Sequence, residues 1–165
     1  TWLVLKGHTR NTAGYVGLKS NDPLETPDIS FRYFDEGNDT TGDDLEAVVE
    51  GVKTARSINR RPLAWAVNRS EHTPGRSRSD DRSLKQFIKN EAWGHHASCS
   101  NKMGRSTDRM AVVDSKFKVH GIEGLRIVDA SVFPRVPGLF IVVPIYMIAE
   151  KASEDIIAAA RATPL

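Results

Sequence analysis

Two adjacent histidines, His95 and His96, open a polar, turn-rich stretch, Gly94-His-His-Ala-Ser-Cys-Ser-Asn-Lys-Met-Gly104. Histidine, with an unperturbed pKa of about 6.5, is the side chain best suited to moving a proton at neutral pH, and loops on rigid scaffolds are where such groups are displayed. His95 and His96 are therefore the first candidates for chemistry. A plainer arrangement also fits a bare pair: one ring packed and hydrogen-bonded, the other solvated. Downstream, Met110-Ala-Val-Val-Asp114 and Leu125-Arg-Ile-Val-Asp129 each end an apolar run on an aspartate, which faces a ligand in many α/β proteins or caps a turn. A metal-assisted hydrolase built on His95, His96, His120 and an aspartate is a poor alternative, because ligands usually converge from i and i+4 on a helix while adjacent histidines point apart. A serine hydrolase is poorer still, since the chain has no Gly-x-Ser-x-Gly elbow.

Several elements must hold these residues. Trp2–Lys6, Tyr15–Lys19 and Ile29–Phe34 are short β-branched and aromatic runs separated by Gly, Asn, Asp and Pro, which predicts strands of an antiparallel sheet. Ile29, Phe31 and Tyr33 would share one face, covered by the helix that follows. That helix spans 42–59, with Leu45, Val48, Val49, Val52, Ala55 and Ile58 at helical spacing and Thr41 or Asp43 placed to cap it. From about 60 to 81 the pattern dissolves into a mobile loop or insertion containing the Leu63–Val67 apolar patch and the arginines Arg76, Arg78 and Arg82. A short helix, 82–93, with Leu84, Phe87 and Ile88 on one side, delivers the chain to the histidines. The runs ending at Asp114 and Asp129 read as short buried strands, linked through Gly121 and Gly124. Pro144 then opens a last, mostly core helix through Ile145, Ile148, Ala149, Ala152, Ile156, Ile157 and Ala160 to Arg161.

Composition narrows the function classes. A chain of 165 residues with a formal net charge of +2 carries no dominant field, which argues against nucleic acid or an anionic membrane as partner. The single cysteine, Cys99, excludes an internal disulfide framework. The longest apolar run, Leu139–Ala149, is too short to span a bilayer and contains Pro144. Two sequons, at Asn38 and Asn68, leave localisation open.

Taken in order, the blocks of the second half resemble the carboxy-terminal part of the glucose-methanol-choline (GMC) oxidoreductases, FAD-dependent alcohol oxidases and dehydrogenases. His96 through Met103-Gly104 is similar to the family's His-Pro-x-Gly-Thr-x-x-Met-Gly. Ala111-Val-Val-Asp114, Val119-His-Gly121, Gly124-Leu-Arg-Ile-Val-Asp-Ala-Ser-Val-Phe-Pro134 and Met147-Ile-Ala-Glu-Lys-Ala152 follow at the expected intervals. Gly14-Tyr-Val-Gly-Leu-Lys-Ser-Asn-Asp-Pro23 and the helix around Glu50-Gly51 resemble the entry to the family's substrate domain.

The resemblance implies hydride transfer from an alcohol carbon to flavin, with His96 as the base that takes the hydroxyl proton and His95 as its differently oriented neighbour. It implies that the backbone at Asp129 and Ala130 touches FAD and that Val142 and Val143 lie beside the ring system. The fold it implies is α+β: an antiparallel substrate-domain sheet with covering helices, plus a strand and carboxy-terminal helix that complete an FAD-binding α/β domain. Residues 1–110, with the insertion at 60–81 and the histidine loop at 94–104, would be the substrate-binding portion, and 111–165 the segment completing the FAD domain.

Three features depart from the pattern. Val142 stands where the family usually has histidine or asparagine, so His96 works alone, Tyr146 or Asn101 assists, or the reaction differs. Cys99-Ser100 replaces the family's Gly-Thr, which predicts another backbone path there. No Gly-x-Gly-x-x-Gly follows a strand, so the turn that meets the FAD pyrophosphate is missing. The chain therefore reads as part of a longer flavoenzyme, inactive by itself, whose partners are a small alcohol and an amino-terminal FAD-binding portion. The alternative is a non-catalytic fragment or assembly module that pairs with another chain.

Overall fold

A computed structural model of the chain describes residues 1–67 and 70–162, and only the backbone of Trp65. The Asn68 sequon lies outside the described residues. The described part is α+β, with one small two-stranded antiparallel sheet and helices. It divides into two compact units, Thr1–Trp93 and Gly94–Leu165.

In the first unit, β1 (Tyr15–Gly17) pairs antiparallel with β2 (Asp28–Ser30) in the register Tyr15 opposite Ser30. The Tyr15 hydroxyl donates to Asp28 Oδ2 at 2.6 Å across the ladder. The sheet is smaller than the sequence predicts. β2 ends at Ser30, Phe34–Glu36 forms a 3-10 turn, and Trp2–Lys6 is not a strand. The apolar side chains of that first segment are used on a helix instead. Trp2 Nε1 donates to Asn59 Oδ1 at 3.1 Å, and Val4 lies so close over Gly51 that a Cβ there would overlap it.

That helix is α1 (Asp43–Asn59), and its predicted stripe is the core. Val49 is fully buried and packs with Leu84 and Ile88 of α3 (Asp81–Glu91), with Phe34, Leu45, Val48, Val52 and Phe87 around them. Burial of such side chains contributes roughly 1.5–3 kcal/mol each. Committing this face to α3 leaves the β-hairpin uncovered: Ile29, Phe31 and Tyr33 stay 49%, 56% and 36% exposed, against the expectation that α1 would cover them. Neither Thr41 nor Asp43 caps α1. Gly42 occupies the cap position in the left-handed region, and Asp39 Oδ2, from upstream, accepts the Asp44 amide at 2.8 Å. Asp44, 4% exposed, accepts the Arg10 and Asn11 amides at 3.0 Å and pairs with Lys6 at 3.4 Å, which ties the incoming chain to the amino end of the helix. There its carboxylate also complements the helix dipole.

The segment read as a loop is more ordered than its composition suggests. It contains α2 (Pro62–Val67), opened by a proline whose missing N–H costs nothing there. Arg56 of α1 grips Glu71 through two nitrogens, Nη2 to Oε1 at 2.7 Å and Nε to Oε2 at 3.0 Å, and donates to the Arg78 carbonyl at 2.9 Å. The Arg78 guanidinium lies 5.0 Å from the Phe87 ring centroid. Asp80 caps α3 by accepting the Ser83 amide at 2.9 Å, and α3 ends at Glu91, before Trp93.

The second unit holds its core with turns rather than strands. Val113, Phe117, Val132 and Ala152 are buried together, with Met103, Val112, Val119, Ile127 and Ile148 against them. The runs ending at Asp114 and Asp129 form only isolated bridges, Met103 with Val113, Val113 with Val119, and Lys118 with Arg126, so the two predicted strands are absent. Gly121 and Gly124, both with positive φ, turn the chain between them. The last helix, α4 (Val142–Ala162), starts two residues before Pro144. Ile145, Ile148, Ala149 and Ala152 face inward, but Ile156 and Ile157 stay exposed, so only the first half of α4 is core.

Candidate active site

The histidine loop is hung on this second core. Its backbone donates rung by rung to a 3-10 turn at Ala130–Val132: Cys99 N to Ala130 O at 3.2 Å, Asn101 N to Ser131 O at 2.9 Å, and Met103 N to Val132 O at 2.8 Å. Gly104 N then donates to the carbonyl of fully buried Val113 at 2.9 Å. Gly104 has no room for a side chain, since a Cβ would sit 2.9 Å from that of Ala111. The His120 ring fixes the same corner, with Nε2 3.1 Å from the Gly104 carbonyl oxygen. These bonds hold the loop's far end, and the histidines project from its start.

His96 is half-buried and His95 exposed. Their rings meet edge to face, with centroids 4.9 Å apart and planes at 80°. On its other contact His96 meets Phe140, with centroids 5.9 Å apart and planes at 74°. Phe140 precedes Val142 and Val143, the first residues of α4, by two and three positions, and these side chains are 66%, 56% and 63% exposed. The loop, the Asp129–Ala130 backbone and the opening of α4 thus belong to one compact unit, with His96 touching the last of these through Phe140.

Both candidate aspartates turn out to cap turns. Asp129 Oδ1 accepts the Ser131 amide at 2.7 Å, and Asp114 Oδ1 accepts the Lys116 and Lys118 amides at 2.8 and 2.9 Å. Burial pushes the Asp114 carboxyl up, but the Lys118 and Lys116 amides and the nearby His120 and Lys118 charges outweigh it and hold the group below the ordinary carboxylate range. Asp129 is exposed, and its backbone can still meet a ligand. Its amide N–H and that of Ala130 donate to no other described residue. The free N–H groups that open a helix add donors at Val142 and Val143. Backbone donors at Asp129 and Ala130 and an exposed apolar opening of α4 are groups that suit the polar edge and the flat face of a heterocycle such as a flavin.

The two polar groups considered as substitutes at Val142 differ in availability. Asn101 is committed, its Nδ2 donating to Ser131 Oγ at 3.0 Å, whereas Tyr146 is 70% exposed on the first turns of α4. The sequence reading missed Phe140. Its only signal is the unbroken apolar run Leu139–Val143 before Pro144. Among the described residues no three His, Cys, Asp or Glu side chains converge as a metal site would need, and no helix is long and apolar enough to cross a membrane.

The family model for GMC oxidoreductase matches residues 10–149. The chain belongs to the GMC oxidoreductase family. Among curated GMC relatives, the oxygen-dependent choline dehydrogenase of Staphylococcus xylosus is 39% identical over 148 residues, which are 88% of this chain and 26% of that protein. The corresponding enzyme of Staphylococcus haemolyticus is 38% identical over 148 residues. Among solved structures, a formate oxidase of Aspergillus oryzae, studied for its FAD modification, superposes with a TM-score of 0.76 at 27% identity, covering 90% of this chain and 25% of that one. A fungal aryl-alcohol oxidase gives 0.64 at 29% identity, covering 90% and 24%. The chain therefore spans about a quarter of the length of the GMC relatives it matches, and its similarity to them places it in their carboxy-terminal part.

Proposed function

We propose that this chain is the carboxy-terminal portion of an FAD-dependent alcohol oxidase or dehydrogenase in which His96 is the general base. The reading is carried by the half-buried His96 ring, held against Phe140 by a loop whose backbone is bonded to the turn containing Ala130. A ring nitrogen of His96 accepts the hydroxyl proton as the C–H hydride leaves, so that the alcohol becomes a carbonyl and the imidazole an imidazolium. His95 packs against that ring and limits its orientation. Bound FAD would supply the hydride acceptor. The Asp129 and Ala130 backbone and the Val142–Val143 end of α4 would contact it, and the exposed apolar side chains there would exclude water from the reacting atoms. In this reading residues 1–110 serve the substrate side and 111–165 the cofactor side, although the compact units part after Trp93. The amino-terminal three quarters of the polypeptide would supply the phosphate-binding turn and complete the FAD domain.

The test uses the complete natural polypeptide. Purified, it should carry yellow flavin that bleaches when an alcohol is added without oxygen. His96→Ala should keep the flavin and lose turnover by about 10²–10⁴, the range for a positioned base. Unchanged turnover would remove His96 from the role.

A second reading, a non-catalytic module that pairs with another chain, draws on Val142 and on the exposed apolar residues of α4. It predicts a stable, colourless complex with no flavin affinity.

A further inference from the structure

We propose that the cleft lined by Arg105, Ser106, Thr107, Asp114, Ser115 and His120 is a binding site for a phosphate group that carries a proton. The cleft lies wholly within the second unit, and the proposal is independent of the role of His96.

Met103 and Gly104, at the bonded far end of the histidine loop, complete its wall, and the His120 ring is committed to that wall through Nε2 and the Gly104 carbonyl. Free donors set this cleft apart. Among the described residues the Arg105 guanidinium pairs with nothing and the Ser106, Thr107 and Ser115 hydroxyls make no hydrogen bond, and all four residues are exposed. The surrounding charge has the same sign. Between Lys102 and Arg126 the chain carries six Lys or Arg against three Asp or Glu. Of those acids, Asp108 is taken up by Lys102 at 2.7 Å and by the Met110 amide at 2.9 Å. A planar guanidinium flanked by hydroxyls is a donor set that a tetrahedral oxyanion fits, with the arginine bonding two of its oxygens.

Asp114 then selects among such anions. Its Oδ1 accepts the Lys116 and Lys118 amides, whereas Oδ2 makes no hydrogen bond among the described residues. The carboxyl, held below its ordinary range, stays ionised and therefore only accepts. Sulfate, which has no proton, meets repulsion there. Hydrogen phosphate, or a phosphomonoester near its second pKa of about 6, brings an O–H that the carboxylate can take.

The experiment titrates the complete, flavin-loaded polypeptide with inorganic phosphate, glycerol 2-phosphate and sulfate, near pH 6 and at constant ionic strength, by isothermal titration calorimetry. Phosphate should bind at least about tenfold more tightly than sulfate, the effect of one hydrogen bond to a charged group. Arg105→Gln should weaken phosphate binding about tenfold, while Arg82→Gln, which removes an exposed cation of the first unit, should leave it unchanged. Asp114→Asn keeps an oxygen for the Lys116 and Lys118 amides but removes the charge, so sulfate should then bind as tightly as phosphate. Glycerol 2-phosphate binding as tightly as phosphate supports a phosphomonoester as the ligand, and binding of inorganic phosphate alone supports the free ion. No heat of phosphate binding, equal affinity for phosphate and sulfate in the native protein, or equal losses in Arg105→Gln and Arg82→Gln overturns the proposal.

Discussion

The Cys99 amide donates to the Ala130 carbonyl at 3.2 Å, and Cys99 makes that bond with φ at 70°, in the left-handed region. The residue standing where the family has glycine thus sits in a conformation that glycine adopts freely, and the rungs at 99, 101 and 103 hold the backbone at and beyond it.

Strain of this kind costs roughly 1–2 kcal/mol for a residue with a Cβ. Cys99→Gly removes it but also removes a half-buried thiol and adds freedom to the unfolded chain. The net change expected in urea unfolding is therefore within about 1 kcal/mol of zero. Cys99→Val, whose branched Cβ tolerates positive φ least, should lose about 2 kcal/mol or more. A valine variant as stable as the native chain would show that the backbone here is free to move.

What the sequence makes legible follows the length of each pattern. The stripe Leu45, Val48, Val49, Val52 keeps helical spacing over about two turns of the 17-residue α1, and Leu84, Phe87, Ile88 keeps it on a shorter helix, and both become core. Runs of five residues carry less information. Trp2–Lys6 looks like a strand but spends its side chains on α1, and the segments ending at Asp114 and Asp129 have strand composition yet meet their neighbours at single bridges. At the site, the histidine pair stands out because few residue types move protons near neutrality. Phe140 does not, because an apolar residue in an apolar run reads as packing until its ring is seen against His96. Sequence leaves the aspartates open between ligand and cap, and their hydrogen bonds to Ser131, Lys116 and Lys118 show both side chains capping turns.

Acid should unfold this chain through its carboxylates. The Arg56 side chain holds the Glu71 carboxyl below its usual range, the Asp44 amide does the same for Asp39, and Asp80, Asp108 and Asp114 are also lowered. A carboxyl that binds its proton less readily folded than unfolded contributes stability above its unfolded pKa, about 4, and loses it as pH falls through the lower folded value. Unfolding midpoints should therefore be flat from neutral pH to about 5 and fall steeply below about 4. Glu71→Gln removes one of these groups, so it should lower stability near neutral pH and make the acid slope shallower. An unchanged slope would mean that the Arg56 grip on Glu71 does not survive in solution.

Gly51 sits in the middle of α1, where alanine is ordinarily worth about 1 kcal/mol in helix propensity. Val4 reverses that expectation, because the incoming segment packs into the space a Cβ would take. Gly51→Ala should therefore destabilise the chain in urea unfolding and loosen Trp2 from Asn59, seen as a red shift in tryptophan emission. Val4→Ala alone should cost about 1–2 kcal/mol as a partly exposed truncation. Combined, the two changes cease to clash and the propensity term returns, so the double variant should be more stable than Gly51→Ala alone. The coupling carries the argument: residues in contact depart from additivity by about 0.5–3 kcal/mol, whereas distant ones add. Additive losses would mean that residues 2–6 do not lie along α1, and the placement of this segment on the helix would fall with them.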